Sequence, residues 1–184
     1  MTGKQFSWLC VLPGLLSVTL PSAAAPPGFY AGAGGGLSVA ADWLDGDGAG
    51  AWKIFGGYRF KPHLGIAADY RRVGRLRFDK AFSNREVDAE ISALAAFATL
   101  SAPVKRTGEV FLKIGVVRWD ADVEITSPSG STSTNDKGAD FAWGVGGQFQ
   151  LNESLSTRLE IEGFDSGAPI GTVLTLSAGL FWRF

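Results

Sequence analysis

The sequence predicts an all-β fold, an eight-stranded antiparallel up-and-down transmembrane β-barrel, and three observations lead there. Beyond residue 24 the chain divides into about eight segments of roughly ten residues each, rich in glycine and aromatic residues. Within most segments apolar and polar residues alternate with a period of two, the signature of strands whose two faces meet different surroundings. The connections between segments alternate between short and long, as a barrel with turns at one rim and loops at the other requires.

The 184 residues fit one domain, and 46% of them are hydrophobic, enough for a packed core or a lipid-facing belt. Glycine occurs 25 times and Met and Cys once each, a mixture that favours strands over helices. A formal net charge of −1 provides no basic surface for nucleic acid, which is excluded as a partner, and no acidic tail.

Residues 1–24 read as a secretory signal peptide, and residues 25–184 as the outer-membrane β-barrel domain. Lys4 supplies the positive start, Trp8 to Leu20 the apolar region, and Ser22-Ala23-Ala24 the small residues for cleavage. Cleavage before Ala25 is preferred, because a cut one residue later would place Pro26 first. The apolar region is broken by Pro13 and is short for a membrane span, which argues against the competing reading of a retained anchor helix. Cys10 lies inside the signal, so the exported chain is expected to have no disulfide and no cysteine nucleophile. Cys10 also lacks the context of a lipoprotein acylation site. After residue 24 no run of ~18 apolar residues follows, so a membrane-bound form must cross with strands.

The expected strands are Gly28 to Ser38, Gly50 to Phe60, Leu64 to Gly74, Glu90 to Leu100, Gly108 to Thr126, Gly138 to Leu151, Leu155 to Asp165 and Gly171 to Phe184. The seventh is the clearest: Leu155, Thr157, Leu159 and Ile161 share one face, and Ser156, Arg158, Glu160 and Glu162 the other. In the second, Trp52, Ile54, Tyr58 and Phe60 alternate with Lys53, Phe55, Gly57 and Arg59. In the sixth, Phe141, Trp143, Val145 and Phe149 alternate with Ala142, Gly144, Gly146 and Gln148. The last puts Leu174, Leu176, Ala178, Leu180, Trp182 and Phe184 outside, with Phe181 the one bulky apolar residue opposite. The fourth reads two ways, since Leu94-Ala95-Ala96-Phe97-Ala98 suits a helix as well as a strand. Its Glu90 falls on the lipid face unless it stands above the membrane or a bulge shifts the register. The short connections are Lys61-Pro62-His63, Ser101 to Thr107 and Asn152-Glu153-Ser154. The others are Val39 to Ala49, Arg75 to Ala89, Ser127 to Lys137 and Ser166 to Ile170, and the Ser/Thr/Gly-rich stretch Ser127 to Thr134 reads as a solvated loop.

Ordered motifs then resemble the transmembrane domain of the outer membrane protein A family. Phe111-Leu112-Lys113-Ile114-Gly115 through Arg118-Trp119-Asp120-Ala121-Asp122 is similar to that family's fifth strand, Ser156-Thr157-Arg158-Leu159-Glu160 to its seventh, and Leu176 to Phe184 to its last. Phe29-Tyr30-Ala31-Gly32-Ala33 and Gly57-Tyr58-Arg59-Phe60 are similar at the start. The resemblance implies outer-membrane lipids and lipopolysaccharide as surroundings, a monomer, and a terminal aromatic, Phe184, read by the barrel-assembly machinery. The sequence ends with the eighth segment, so wall anchoring through the family's peptidoglycan-binding domain is not expected. In the family, interior ion pairs gate a narrow water path. Lys113, Arg158 and Glu160 fit those positions, but Ala67, Gln148 and Thr99 stand where the family has an acid, an acid and a lysine, so gating by the same pairs is not carried over.

Eight strands leave a lumen that side chains fill. Inward Lys53, Asp69, Lys113 and Glu160 fall at comparable heights and sum to zero charge, and with Arg158 they form the expected interior charge network. No catalytic, cofactor-binding or metal site is expected. A low-conductance, porin-like pore is the second reading. A lipid A-modifying enzyme is the third, but the only histidine, His63, falls in a short turn at the periplasmic rim, and no Gly-x-Ser-x-Gly elbow occurs. Asp42, Asp45 and Asp47 resemble a calcium loop only until the closing position, which is Gly56 instead of glutamate. Gly32, Gly34, Gly35 and Gly36 precede no helix pattern and are read as room for neighbouring side chains. Trp43, Trp52, Trp143 and Trp182 suit lipid-facing or interfacial places, whereas Trp119 shares the inward parity of Lys113 and fits a rim. A soluble lipocalin-like barrel would turn the same two faces the other way round.

Overall fold

The computed structural model describes residues 27–40, 48–80, 85–104, 107–127, 130–165 and 171–184; at 40, 76–80, 85–88, 125–127 and 130 only the backbone is described. The expected signal peptide, the Asp42, Asp45 and Asp47 loop with Trp43, and the connection 166–170 lie outside the described residues.

Eight strands form one closed antiparallel ring: β1 (Gly28–Ala40), β2 (Ala49–Lys61), β3 (Leu64–Lys80), β4 (Arg85–Val104), β5 (Gly108–Ser127), β6 (Gly130–Gln150), β7 (Leu155–Asp165) and β8 (Thr172–Arg183). Each strand pairs with its sequence neighbours, and β1 closes on β8 from Tyr30↔Arg183 to Ala40↔Val173. Closure leaves the membrane-spanning part without a free backbone edge, which a β structure in hydrocarbon requires. The ambiguous fourth segment is strand, with Phe97 inward and Leu94, Ala96 and Ala98 outward.

The outward face is the apolar one. Its positions run Val110, Leu112, Ile114 and Val116 on β5, Leu155, Thr157, Leu159 and Ile161 on β7, and Leu174, Leu176, Ala178, Leu180 and Trp182 on β8. Leu159 is 55% exposed while its neighbour Glu160 is 2% exposed, so alternation sends the hydrocarbon outward and the charge inward. A water-soluble barrel has the opposite arrangement. Among the described residues, outer-surface charges pair at the end of this belt: above it Arg72 meets Glu90 at 3.2 Å and Lys137 meets Asp120 at 2.7 Å. Glu90 thus stands above the membrane, and a bulge in β3 between Val73 and Leu76 lies close by.

Two expected loops are strand instead. A membrane crossing takes ~9–11 residues, a length that β1, β2, β7 and β8 approach at 11 to 13 residues. The four strands between them run 17 to 21 residues and continue past the belt, on the side away from the short turns. Arg75 to Ala89 is therefore mostly the upper β3–β4 ladder. The stretch Ser127 to Thr134 is mostly β6, with Thr132 opposite Ile125 and Thr134 opposite Val123. The ladder satisfies backbone groups that a loop would leave to water, and Thr is at home in a strand. Among the described residues, β6 pairs with β5 alone from Phe141 upward, and β3 pairs with β4 alone above Val73.

The face assignment has a measurable consequence. Leu159→Arg is expected to weaken folding into lipid by about 2 to 4 kcal/mol, the cost of a charge near the bilayer midplane, and Arg158→Leu by less. Urea titrations of refolding into vesicles measure both, and equal effects contradict the assignment.

Candidate functional site: the charged lumen

Alternation alone delivers Lys53, Asp69, Arg71, Lys113, Glu160 and Glu162 to the interior, where each is at most 4% exposed. They meet as three cations against three carboxylates. Glu162 accepts from Lys53 at 2.5 Å and from Arg71 at 2.8 Å and also pairs with Lys113. Asp69 takes Arg71 at 2.7 Å and Lys113 at 3.3 Å, and Glu160 takes Lys113 at 3.2 Å and pairs with Lys53. Balance matters more than any single contact, because one unmatched charge in such a place costs several kcal/mol. Space for the cluster comes from Gly144, where a Cβ would stand 2.6 Å from Cε of Lys113.

Lys53, Asp69, Lys113 and Glu160 are thus brought together. Arg158, expected in the same network, sits apart from it and toward the short turns. Its guanidinium is surrounded by the rings of Phe111, Phe55, Phe181 and Tyr30, 4.7 to 5.3 Å from their centroids, and donates to Gln148 Oε1 at 3.0 Å. These contacts hold a cation without a direct carboxylate. Gln148 in turn donates to Glu109, which Arg59 grips with both terminal nitrogens at 2.8 and 2.6 Å. Gly32 clears the ground here, since a Cβ there would lie 2.5 Å from Cβ of Phe181, so this glycine of β1 makes room for a neighbouring side chain, whereas a Cβ at Gly35 would meet only an ordinary contact.

Two members of the cluster were not singled out from the sequence, Arg71 and Glu162. Both lie two residues beyond a singled-out carboxylate, Asp69 and Glu160, and so share its face. The position matched by Ala67 in the resemblance has its acid one inward place further along, at Asp69.

Toward the long strands the lumen is apolar. Val73, Ile91, Val117, Ala121, Phe164 and Val173 are each at most 2% exposed, and Trp119 sits among them, its Nε1 donating to Asp140 at 3.0 Å. Trp119 is therefore an interior residue. Interiors of membrane barrels are ordinarily polar; this one is dry above its charges and wetter below. Trp52 and Trp182 are half-exposed on the outer face. His63 lies in the short β2–β3 turn, with Nδ1 3.0 Å from the carbonyl of Ser101.

A closed ring with an apolar outside and a matched-charge inside defines a β-barrel that crosses a membrane. Residues 9–184 match the outer membrane protein beta-barrel domain, and the chain belongs to that family, whose place is the cell outer membrane. Outer membrane protein A of Klebsiella pneumoniae is 30% identical over 145 residues, and that of Salmonella typhi 29% over 144, each alignment covering 74% of this chain. It covers only 41% and 40% of those relatives, so the chain spans well under half of their length. Among solved structures, Neisserial surface protein A is similar at a TM-score of 0.65 and 17% identity, over 85% of this chain and 97% of that one. Ail of Yersinia pestis, solved with the heparin analogue sucrose octasulfate, is similar at 0.57 and 17% identity, over 86% and 97%. Both likenesses establish the eight-stranded fold.

The cluster's balance is testable. Glu162→Gln keeps the volume but leaves three cations with two carboxylates, and is expected to cost about 3 to 5 kcal/mol of stability in lipid vesicles. Glu90→Gln, on the solvated pair, should stay within about 0.5 kcal/mol. Similar losses for the two variants would mean the cluster is not a unit.

Proposed function

We propose that this is a non-enzymatic, closed, monomeric outer-membrane barrel that supports envelope integrity or surface interaction through the part standing above the bilayer. The observation that carries this reading is the division of labour in the fold: a filled lumen below, and four strands that outrun the membrane above. Among the described residues the upper reaches of β3 and β6 present one backbone edge each, the kind of surface on which another chain or a saccharide layer can be met. Lipids and lipopolysaccharide are the immediate partners, and Phe184, 82% exposed at the foot of β8, suits recognition by the barrel-assembly machinery. An exported chain from a Gram-negative cell, with residues 1–24 as its signal, fits the same reading.

Two observations weigh against the other readings. The dry tier of Val73, Ile91, Val117 and Phe164 stands in the way of a pore. His63 belongs to the short-turn rim, away from the outer leaflet that a lipid A-modifying enzyme must reach.

In planar bilayers the wild-type barrel is expected to show little or no steady conductance, and His63→Ala should leave lipid A acylation unchanged. Large stable channels would promote the pore, and His63-dependent acyl changes the enzyme. Removing residues 124–133 should leave outer-membrane insertion and the unheated gel shift intact while lowering cell adhesion or detergent resistance. If neither changes, the upper strands are not where the protein acts.

A further inference from the structure

Below the charge cluster, a cavity of about 50 Å³ opens toward the short-turn rim. That is room for a compact ion, given about 30 Å³ per water in the liquid. It is lined by Arg59, Arg158 and Arg183, by Lys113 of the charge cluster, by Gln148, Thr99 and Ser101, and at the rim by Phe184, with no Asp or Glu side chain among them. Glu109, the acid beside it, is held by Arg59 and Gln148 and also faces Arg183 electrostatically, so it offsets one of the three arginine charges. Arg158 is 7% exposed and its Nε has no hydrogen-bond partner among the described residues, an unusual condition for a buried guanidinium. The Arg183 guanidinium lies 5.4 Å from the centre of the Phe181 ring at the cavity mouth. Above this space stand the neutral cluster and the dry tier, so the cavity is a blind end.

We propose that this lower lumen is a binding site for a compact phosphoryl oxyanion, entering from the short-turn, periplasmic rim and held by Arg158 and Arg183. Planar guanidinium forks match phosphate oxygens in pairs, and a low-polarity setting strengthens each such bond. The phenylalanine cage fixes Arg158 in place before the anion arrives. Gln148, joined to both Arg158 and Glu109, ties that cage to the rim. The site goes beyond the proposed surface role and rests on the closed lumen only for its direction of entry; conductance and anion binding are separate measurements, so each can fail alone.

The test is titration of the folded barrel, in phosphate-free alkyl-maltoside micelles, with inorganic phosphate by calorimetry and ³¹P line broadening. Native mass spectrometry of the barrel with added phosphatidylglycerol forms a second arm. Arg158→Lys, which keeps the charge but loses the fork, should weaken binding by about ten-fold or more, and Arg183→Gln by a smaller factor. The unheated gel shift verifies folding; should Arg158→Lys fail it, Arg183→Gln decides alone. Arginine-dependent binding of phosphate places the oxyanion in the periplasmic solution, and arginine-dependent retention of phosphatidylglycerol alone places it on a lipid headgroup. Binding of neither overturns the proposal, as does phosphate binding that either folded variant leaves unchanged or that chloride at equal ionic strength abolishes equally.

Discussion

Everything in this barrel follows from one constraint: eight strands enclose a lumen too narrow to be left open and too enclosed to leave a charge unmatched. The interior is consequently built in tiers, each solving the problem differently. Next to the long strands, Val73, Ile91, Val117 and Phe164 fill space with hydrocarbon. In the middle, Lys53, Arg71 and Lys113 neutralise Asp69, Glu160 and Glu162. Lower down, a single cation is held by aromatic rings, with an amide joining it to an ion pair at the rim. The small residues Gly32 and Gly144 are the counterpart of this filling, because bulk on one strand requires its absence on the next.

The pairs inside this barrel are particular to its own sequence. The sequence departs from the family's interior pattern at Ala67, Thr99 and Gln148, and the structure has other pairs there. Asp69 and Arg71 supply a carboxylate and a guanidinium from one strand, two residues apart on one face, and both reach Glu162 or its lysine partners across the lumen. Gln148, neutral, links Arg158 to Glu109 where an acid would have paired with it directly.

How much of this was legible depended on the contrast between the two faces. On β7 the contrast is complete, Leu159 against Glu160, and the strand was readable to its ends, Leu155 to Asp165. On β4 the inward residues Ile91, Ala93, Ala95 and Phe97 are apolar like the outward ones, so alternation fades and a helix reads equally well. Above the bilayer both faces can meet water, charges occur at both parities from Arg75 to Asp88, and strand passes for loop. Parity put Arg158 inside correctly but not at a height: that depends on the stagger of strands far apart in sequence, which brings Phe55, Phe111 and Phe181 around it.

The unequal strand lengths have a further effect. Among the described residues β3 to β6 rise above the belt while β1, β2, β7 and β8 stop near it, so the strand ends are not level, and the described barrel has a tall side and a low side. A level barrel in a fluid bilayer offers every neighbour the same profile as it turns about its axis. This one does not: rotation swings the taller strands about that axis above the bilayer, and an encounter from the tall side differs from one at its back. In two dimensions that amounts to a heading.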